Sequence, residues 1–416
     1  MLKIQSLFGL LVLIFLAWII SENRKKINFR VIFACLFLQF GAAFLLLTVP
    51  WCKDFFLALN KVAGAIQVST TKGTTFVFGY LGGGTVPFDI SDHSNLFILA
   101  LQALPLILVI SAISSVLFYW RILPAIVKVL AFILKKVTGI SGALGLCVSA
   151  NIFVGMVEAP LIIKPYISRM TRSELFTIMT SGMATVAGTV MFLYAGFLSH
   201  IIDDAIGHIL TASIISAPAA ILVSTLMVPR EKELQSIDED FVPSQNAGST
   251  IDALVKGVDA GVTLLINITA MLIVMVALVA LFNIFLEFIS PLSGAPITFQ
   301  NIIGWCMAPI VWLTGIPWAE SAVAGQLMGT KTVLNELIAY IDLAHLPKDA
   351  LSERSRIIMT YSLCGFANFA SLGIMIAGLR AIAPDREKDI LSLAPKSIIA
   401  GTLSTLMTGA IAGIFL

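Results

Sequence analysis

The chain has 416 residues, of which 58% are hydrophobic and only 12% charged, with a formal net charge of +2 and a mean hydropathy of +0.98. That balance excludes a soluble globular domain of this length, which needs far more charge on its surface, and no basic-aromatic patch points to nucleic acid. Apolar runs long enough to cross a bilayer recur from end to end, which is the signature of a polytopic all-α membrane protein.

The N-terminal run "LFGLLVLIFLAWII" has the core of a signal peptide but lacks a small-x-small cleavage site, so it is read as a retained first span over about 5–21. Span 2 covers about 30–50, and a Gly-rich mixed segment, 51–95, is assigned to an external helix and loop. Span 3 covers about 96–119. The stretch "WRILPAIVKVLAFILKK" then sets basic against apolar positions at helical spacing, an interfacial helix over 120–139 with its basic side toward lipid headgroups.

The segment 140–168 is apolar but broken at Gly155, and each arm is about 14 residues, or roughly 20 Å, too short to cross the hydrocarbon core. Two short helices meeting at a polar tip describe a re-entrant hairpin. Spans 4 and 5 follow near 173–199 and 206–228, then a polar linker over 229–250 and a long span 6 over about 251–289. The next segment, 297–341, is again broken, where Gly315 ends one arm and Pro317 with Glu320 opens the next in "LTGIPWAES". Span 7 is about 353–382 and span 8 about 394–416.

Basic residues follow span 1 (Arg24, Lys25, Lys26, Arg30), span 3 (Arg121, Lys128, Lys135, Lys136) and span 5 (Arg230, Lys232), and surround the span 7–8 loop (Arg380, Arg386, Lys388, Lys396). They fall on one side, the cytoplasmic one, if the hairpins do not cross, which puts both termini outside. The order hairpin, span, span occurs twice, over 140–228 and 297–416, and "ELFTIMTSGMATVAGTVM" in span 4 echoes "RIIMTYSLCGFANFASLGIM" in span 7. Inverted repeats with broken helices are a design of secondary transporters, placing free backbone groups near the bilayer midplane.

A carboxylate inside a membrane segment costs at least a few kcal/mol and marks a functional candidate. Glu158 follows the first hairpin tip, Asn335 and Glu336 sit in "GTKTVLNELIAY", and Asn368 and Ser371 share a helix face in "CGFANFAS". The alternative is a structural network between helices, or a Glu–Lys331 pair. Five scattered cysteines (Cys35, Cys52, Cys147, Cys306, Cys364) without a CxxC, and four scattered histidines, read as packing residues rather than a metal or redox site. No Ser-His-Asp order, HExxH or P-loop is present.

At these residues the sequence resembles the concentrative nucleoside transporter family, specifically its bacterial, purine-preferring branch. The carrying motifs are "NIFVGMVEAPLIIKPY", "SELFTIMTSGMATVAGTV", "GIPWAESAVAGQLMGTKTVLNELIAY" and "SLCGFANFASLGI", and the resemblance covers essentially the whole chain. It implies eight transmembrane helices with two re-entrant hairpins in an inverted repeat, assembled as a homotrimer in the bacterial inner (plasma) membrane. It also implies a scaffold of spans 1–3 (1–119, with the external segment) and span 6 (251–290). A transport domain built from the repeats 140–228 and 297–416 then moves as an elevator, and 229–250 is a cytoplasmic linker.

Carried over residue by residue, the nucleobase meets Gly155, Met156, Val157, Glu158 and Val190, and the ribose meets Glu336, Phe366, Asn368 and Ser371. A coupling sodium ion, with no other cofactor or metal, meets the Asn151 side chain, the Val154 carbonyl, the Thr185 hydroxyl and the Val186 carbonyl, all hard oxygen donors. Asn151 favours sodium over protons, because proton-coupled members lose it. Many members place Gln-Thr or Gln-Ser before the hairpin Glu to read a pyrimidine. Met156 and Val157 offer apolar, polarisable surface instead, which suits a larger purine. The expected activity is sodium-coupled import of purine nucleosides without covalent chemistry. The alternatives are a proton-coupled or broad-specificity symporter, a passive channel, and a membrane enzyme using Glu158 and Glu336 as acid and base.

Overall fold

The computed structural model describes residues 1–88, 97–230, 247–289 and 297–416. Helix α1 (Leu2–Ile19) and α2 (Phe29–Thr48) are the first two spans, and the Asn28 side chain caps α2 by accepting from the Val31 N–H. Pro50 fills the first position of α3 (Pro50–Phe78), where its missing N–H costs nothing. The segment 51–95, expected to hold a helix and a loop, contains the 29-residue α3 followed by a 3₁₀ turn at Gly79–Gly82, and 89–96 lie outside the described residues. A π turn at Leu99–Ala103 leads into α4 (Leu106–Tyr119), span 3. The amphipathic α5 (Ile122–Thr138) lies between left-handed residues, Arg121 and Gly139, as a stop at both ends requires.

The segment at 140–168 is broken as its length demands. Helix α6 (Gly142–Ala150) runs to Asn151, and the chain re-enters helix in α7 (Glu158–Ile162) and α8 (Lys164–Ile167). Span 4 is itself two helices, α9 (Arg172–Ala184) and α10 (Gly188–Leu198), with extended backbone at Thr185 between them. Thr171 and Glu174 form a capping box that starts α9. The same Glu174 carboxylate accepts from Ser141 Oγ at 2.7 Å, fastening the start of the hairpin to the start of span 4. Span 5 is α11 (Ala205–Met227), and span 6 is the 40-residue α12 (Thr250–Ile289). Most of the linker expected at 229–250 lies outside the described residues.

The second repeat contains two breaks where the sequence suggests one. Helices α13 (Phe299–Trp312) and α14 (Trp318–Val333) pack side by side across the turn at Gly315, the expected site. A further break at Leu334 and Asn335 separates α14 from α15 (Glu336–His345). It carries neither Gly nor Pro. Asn335 makes it by capping α15, accepting from the Ile338 N–H at 2.9 Å. The pair α14–α15 is thus the counterpart of α6–α7, and α13 stands beside α14 as α5 stands beside α6. Span 7 is broken like span 4, into α16 (Glu353–Leu363) and α17 (Phe369–Ile382), and α18 (Glu387–Phe415) is span 8.

Among the described residues, seven helical stretches are long and apolar enough to cross a membrane, from Leu2–Ile19 to Pro384–Phe415. The eighth span is the α16–α17 pair, which its break and its polar first half keep below that standard. The fold is all-α, with both repeats wrapped into one buried core. The termini lie at one end, where Ser6 Oγ donates to the Thr314 carbonyl and Arg354 to the Gly413 carbonyl. At the other end, Glu22 pairs with Arg172 at 3.1 Å and Lys396 at 2.6 Å.

Candidate functional site

The two helix breaks and the two hairpin tips meet. The Phe153 carbonyl at the first tip accepts from the Gly188 N–H, which opens α10, at 3.0 Å. A Cβ on Gly188 would stand 2.6 Å from that oxygen, so the close approach needs glycine. Gly365 in the second break lies against the first. A Cβ there would be 2.8 Å from the Met183 carbonyl oxygen and 2.7 Å from the Thr405 methyl.

Glu336 is the first residue of α15 and is only 4% exposed. Its two oxygens are held from opposite sides. Oε1 accepts from the Tyr194 hydroxyl at 2.6 Å, and Oε2 accepts from Asn368 Nδ2 at 2.7 Å. Both are bonds to a charged acceptor, about twice as strong as neutral ones. Asn368 has no freedom to turn, because its Oδ1 accepts from the Ser371 N–H at 2.7 Å and so caps α17. Tyr194 stacks on Tyr340 with ring centroids 5.0 Å apart, and the Tyr340 hydroxyl donates to the Thr360 carbonyl. A carboxylate offers about four acceptor positions, so these bonds leave capacity for a ligand. Lys331 does not pair with this carboxylate. Its Nζ donates to the Ser362 carbonyl and to Thr405 Oγ1 instead.

A cavity of about 280 Å³ opens beside Glu336. Of the residues expected at the ligand, Gly155, Met156, Val157, Glu158, Val190, Glu336, Phe366 and Ser371 all line it. Asn368 does not; it is fully buried, directly against Glu336. Met156 rests on Gly182 of α9, and Val157 on Gly378 of α17. Glu158 is exposed to the cavity. The opposite wall comes from α4 and α12, with Ser111, Ser115 and Gly257 among its residues, where Ser115 Oγ donates to the Ala253 carbonyl. Sequence reasoning missed this wall and Tyr194. Nothing local marks them, although a tyrosine inside an apolar span ("MFLYAGF") is a polar handle that needs a partner when buried.

The residues expected to hold a cation are also assembled. Asn151 caps the C-terminus of α6. Its Nδ2 reaches Ser181 Oγ at 3.4 Å, and its carbonyl accepts from Thr185 Oγ1 at 3.4 Å. Val154 follows Phe153 at the tip, and Val186 is buried in the break beside Thr185. Among the described residues no cluster of His, Cys, Asp and Glu has the makings of a transition-metal site.

Paired discontinuous helices around a largely apolar cavity with a buried carboxylate are a design of secondary transporters. Three family models match the chain: the N-terminal part of the Na+ dependent nucleoside transporters over residues 8–81, a nucleoside recognition model over 100–200, and the C-terminal part of the same transporters over 208–413. A nucleoside permease of Helicobacter pylori is 33% identical, with 99% of this chain and 97% of that protein covered. Mouse solute carrier family 28 member 3 is 33% identical over 99% of this chain and 59% of its own length. Among solved structures, CNTnw in an inward-facing substrate-bound state superposes with a TM-score of 0.88 at 34% identity, covering 100% of this chain and 98% of that one. A variant of CNTnw in an outward-facing state superposes equally well, also at 0.88.

The chain belongs to the concentrative nucleoside transporter family. Its relatives and structural neighbours are transporters, not enzymes, so the acid–base reading of Glu158 and Glu336 is set aside.

Proposed function

We propose that the protein is a sodium-coupled symporter that imports purine nucleosides across the bacterial inner membrane by an elevator movement. The observation that carries this reading is the cavity itself, which brings a doubly held carboxylate, Glu336, opposite the apolar residues Met156 and Val157. The 2′ and 3′ hydroxyls of a ribose donate to the acceptor capacity left on Glu336, with Ser371 alongside and Asn368 both fixing the carboxylate and within the ribose site. Gly155, Met156, Val157, Glu158, Val190 and Phe366 then surround the base.

Sodium is the coupling ion in this reading, bound by Asn151, Val154, Thr185 and Val186. The family's Na+ dependent description and the hard oxygen donors support it over protons. Because the Asn151–Thr185 contact and the Phe153–Gly188 bond both bridge tip and break, an ion there orders the tip that meets the base. By linkage, each ligand then raises the affinity for the other equally. The repeats 140–228 and 297–416 form the moving body, against α4 and α12, which pack chiefly on each other. Helices α1 and α2 pack on α11 and α18, so we place them beside the repeats rather than with α4 and α12. The termini lie outside and the protein assembles as a homotrimer; the shared end of the termini and the basic loops at the far end favour that orientation.

Tracer uptake into proteoliposomes tests the reading. Adenosine accumulates under an inward sodium gradient and not under a proton gradient, and uridine accumulates less. Uptake of uridine driven by protons overturns both the ion and the base assignments, and no accumulation of either overturns symport.

A further inference from the structure

The wall that α4 and α12 present to the cavity carries more chemistry than a packing surface needs. Ser111, Ser114, Ser115 and Phe118 of α4 all line it, at the i, i+3, i+4, i+7 spacing of one helix face. Ser115 Oγ is bonded to the Ala253 carbonyl of α12 at 2.6 Å. Among the described residues, the hydroxyls of Ser111 and Ser114 have no hydrogen-bond partner, although Ser111 is only 8% exposed. Elsewhere in the molecule such groups are satisfied. Buried Ser397, Ser404 and Thr408 of α18 each donate to a carbonyl three or four residues earlier, the ordinary outcome for a hydroxyl inside a membrane helix.

Helices α4 and α12 run antiparallel. Gly261 meets Leu108 and Ser111, Gly257 meets Ala112, and Trp120 Nε1 donates to Thr250 Oγ1. The serine face therefore lies on the half of α4 nearest Arg121, beside Lys256 and Gly257 of α12. The Lys256–Asp252 ion pair, at 2.8 Å, puts charge and so water at that end. Residues of α12 line the cavity from Lys256 to Leu272, about 24 Å of helix, which is longer than a nucleoside. Its volume, about 280 Å³, is nevertheless small even for one ligand of that class. A ligand at Glu336 and a ligand at the serine face thus occupy the cavity in turn.

We propose that Ser111, Ser114 and Phe118 form a second, weaker station for the nucleoside, between Glu336 and the end of the cavity beside Lys256. The serine hydroxyls take the sugar hydroxyls as they leave Glu336, and the Phe118 ring takes the face of the base. These bonds are neutral, so the station holds the ligand less tightly than the carboxylate does, as a release step needs. Hydroxyls on this path offer new bonds before water has replaced the old ones, and so lower the barrier to leaving. The inference rests on the nucleoside reading above. In that reading the α4–α12 wall stays in place while the repeats move, so the station serves the ligand at one end of the stroke only.

Equilibrium binding and exchange together separate a station from a contact of the Glu336 site. At saturating sodium, S111A/S114A binds adenosine with a Kd within about twofold of wild type. Its exchange of labelled for unlabelled adenosine across proteoliposomes slows by roughly fivefold or more, the low end for two neutral hydrogen bonds. F118L slows exchange likewise, and F118Y, which keeps the ring, runs near the wild-type rate. Unchanged exchange in both S111A/S114A and F118L overturns the station. A Kd weakened in step with the slower exchange overturns it too, by making this wall part of the Glu336 site. If S111A/S114A does not purify intact, F118L and F118Y decide in the same way: slowing by both alike reduces Phe118 to packing and overturns the station. A wild type that does not bind adenosine overturns the nucleoside reading itself, whatever the variants do.

Discussion

Replacing Glu336 with glutamine isolates the contribution of the carboxylate to ligand binding. The shape is kept, and the fold tolerates the amide for a reason visible in the site. Asn368 cannot turn, because its oxygen caps α17 at Ser371, so its Nδ2 keeps pointing at position 336. The new amide oxygen must take that bond. Its nitrogen then faces Tyr194, whose hydroxyl rotates to accept. What disappears is the charge and the acceptors on the Tyr194 side. A hydrogen bond to a charged acceptor is worth about 1.5–3 kcal/mol against about 0.5–1.5 for a neutral one, so two ribose hydroxyls together lose about 2–3 kcal/mol. That is roughly 30- to 150-fold in Kd. The assay is equilibrium binding of a nucleoside and of its 2′,3′-dideoxy analogue to purified protein at saturating sodium. The penalty of E336Q falls on the hydroxylated ligand, and the analogue, already weak, changes little. Equal weakening of both ligands, or an unchanged Kd for the nucleoside, refutes the assignment of this carboxylate to the ribose.

Tyr194→Phe keeps the stack on Tyr340 but strips one donor from the buried carboxylate; we expect nucleoside affinity to fall by about tenfold or more, the value of one bond to a charged group. An unchanged affinity in a binding assay removes Tyr194 from the site. Gly188→Ala places a methyl against the Phe153 carbonyl and pushes the hairpin tip off the break, so half-saturation by sodium rises while the protein still purifies intact. A sodium activation curve identical to wild type counts against an ion between tip and break. Asn151→Ala is expected to weaken sodium dependence in the same assay. Met156→Gln with Val157→Thr shifts preference from adenosine toward uridine, read as the ratio of their uptake rates; a constant ratio sinks the selectivity argument.

The breaks that sequence alone exposes are those made by backbone chemistry. Gly155 and Gly315 interrupt apolar segments whose arms are too short to span, and each marks a real turn in the chain. The break at Leu334 and Asn335 uses a side chain instead, an asparagine that accepts from the N–H three residues on, and such a cap is indistinguishable in sequence from any polar residue in a helix. Glu336 and Asn368 are legible as polar residues where lipid-facing ones belong. Their relation is not, because the bond that joins them spans 32 residues and depends on how two half-helices dock. Tyr194 and the wall from α4 and α12 are hidden for the same reason: Ser111 and Gly257 become neighbours only when two distant spans cross. Asn368, marked in the sequence as a ligand contact, is placed by the fold directly against Glu336, to which its Nδ2 donates.

That position gives Asn368 two duties with one amide. Its oxygen starts a transmembrane half-helix, and its nitrogen aims the carboxylate that faces the ligand. The sugar end of the site is therefore not separately adjustable: a mutation that retunes it also decides whether the second half of span 7 begins where it should. The base end carries no such tie, because Met156 and Val157 sit at a hairpin tip and Val157, though it is the N-cap residue of α7, makes no side-chain capping bond. Drift in substrate choice among relatives, or redesign for a modified nucleobase, has an open route through the tip. A carrier for a ligand without ribose would have to rebuild a membrane helix to get there.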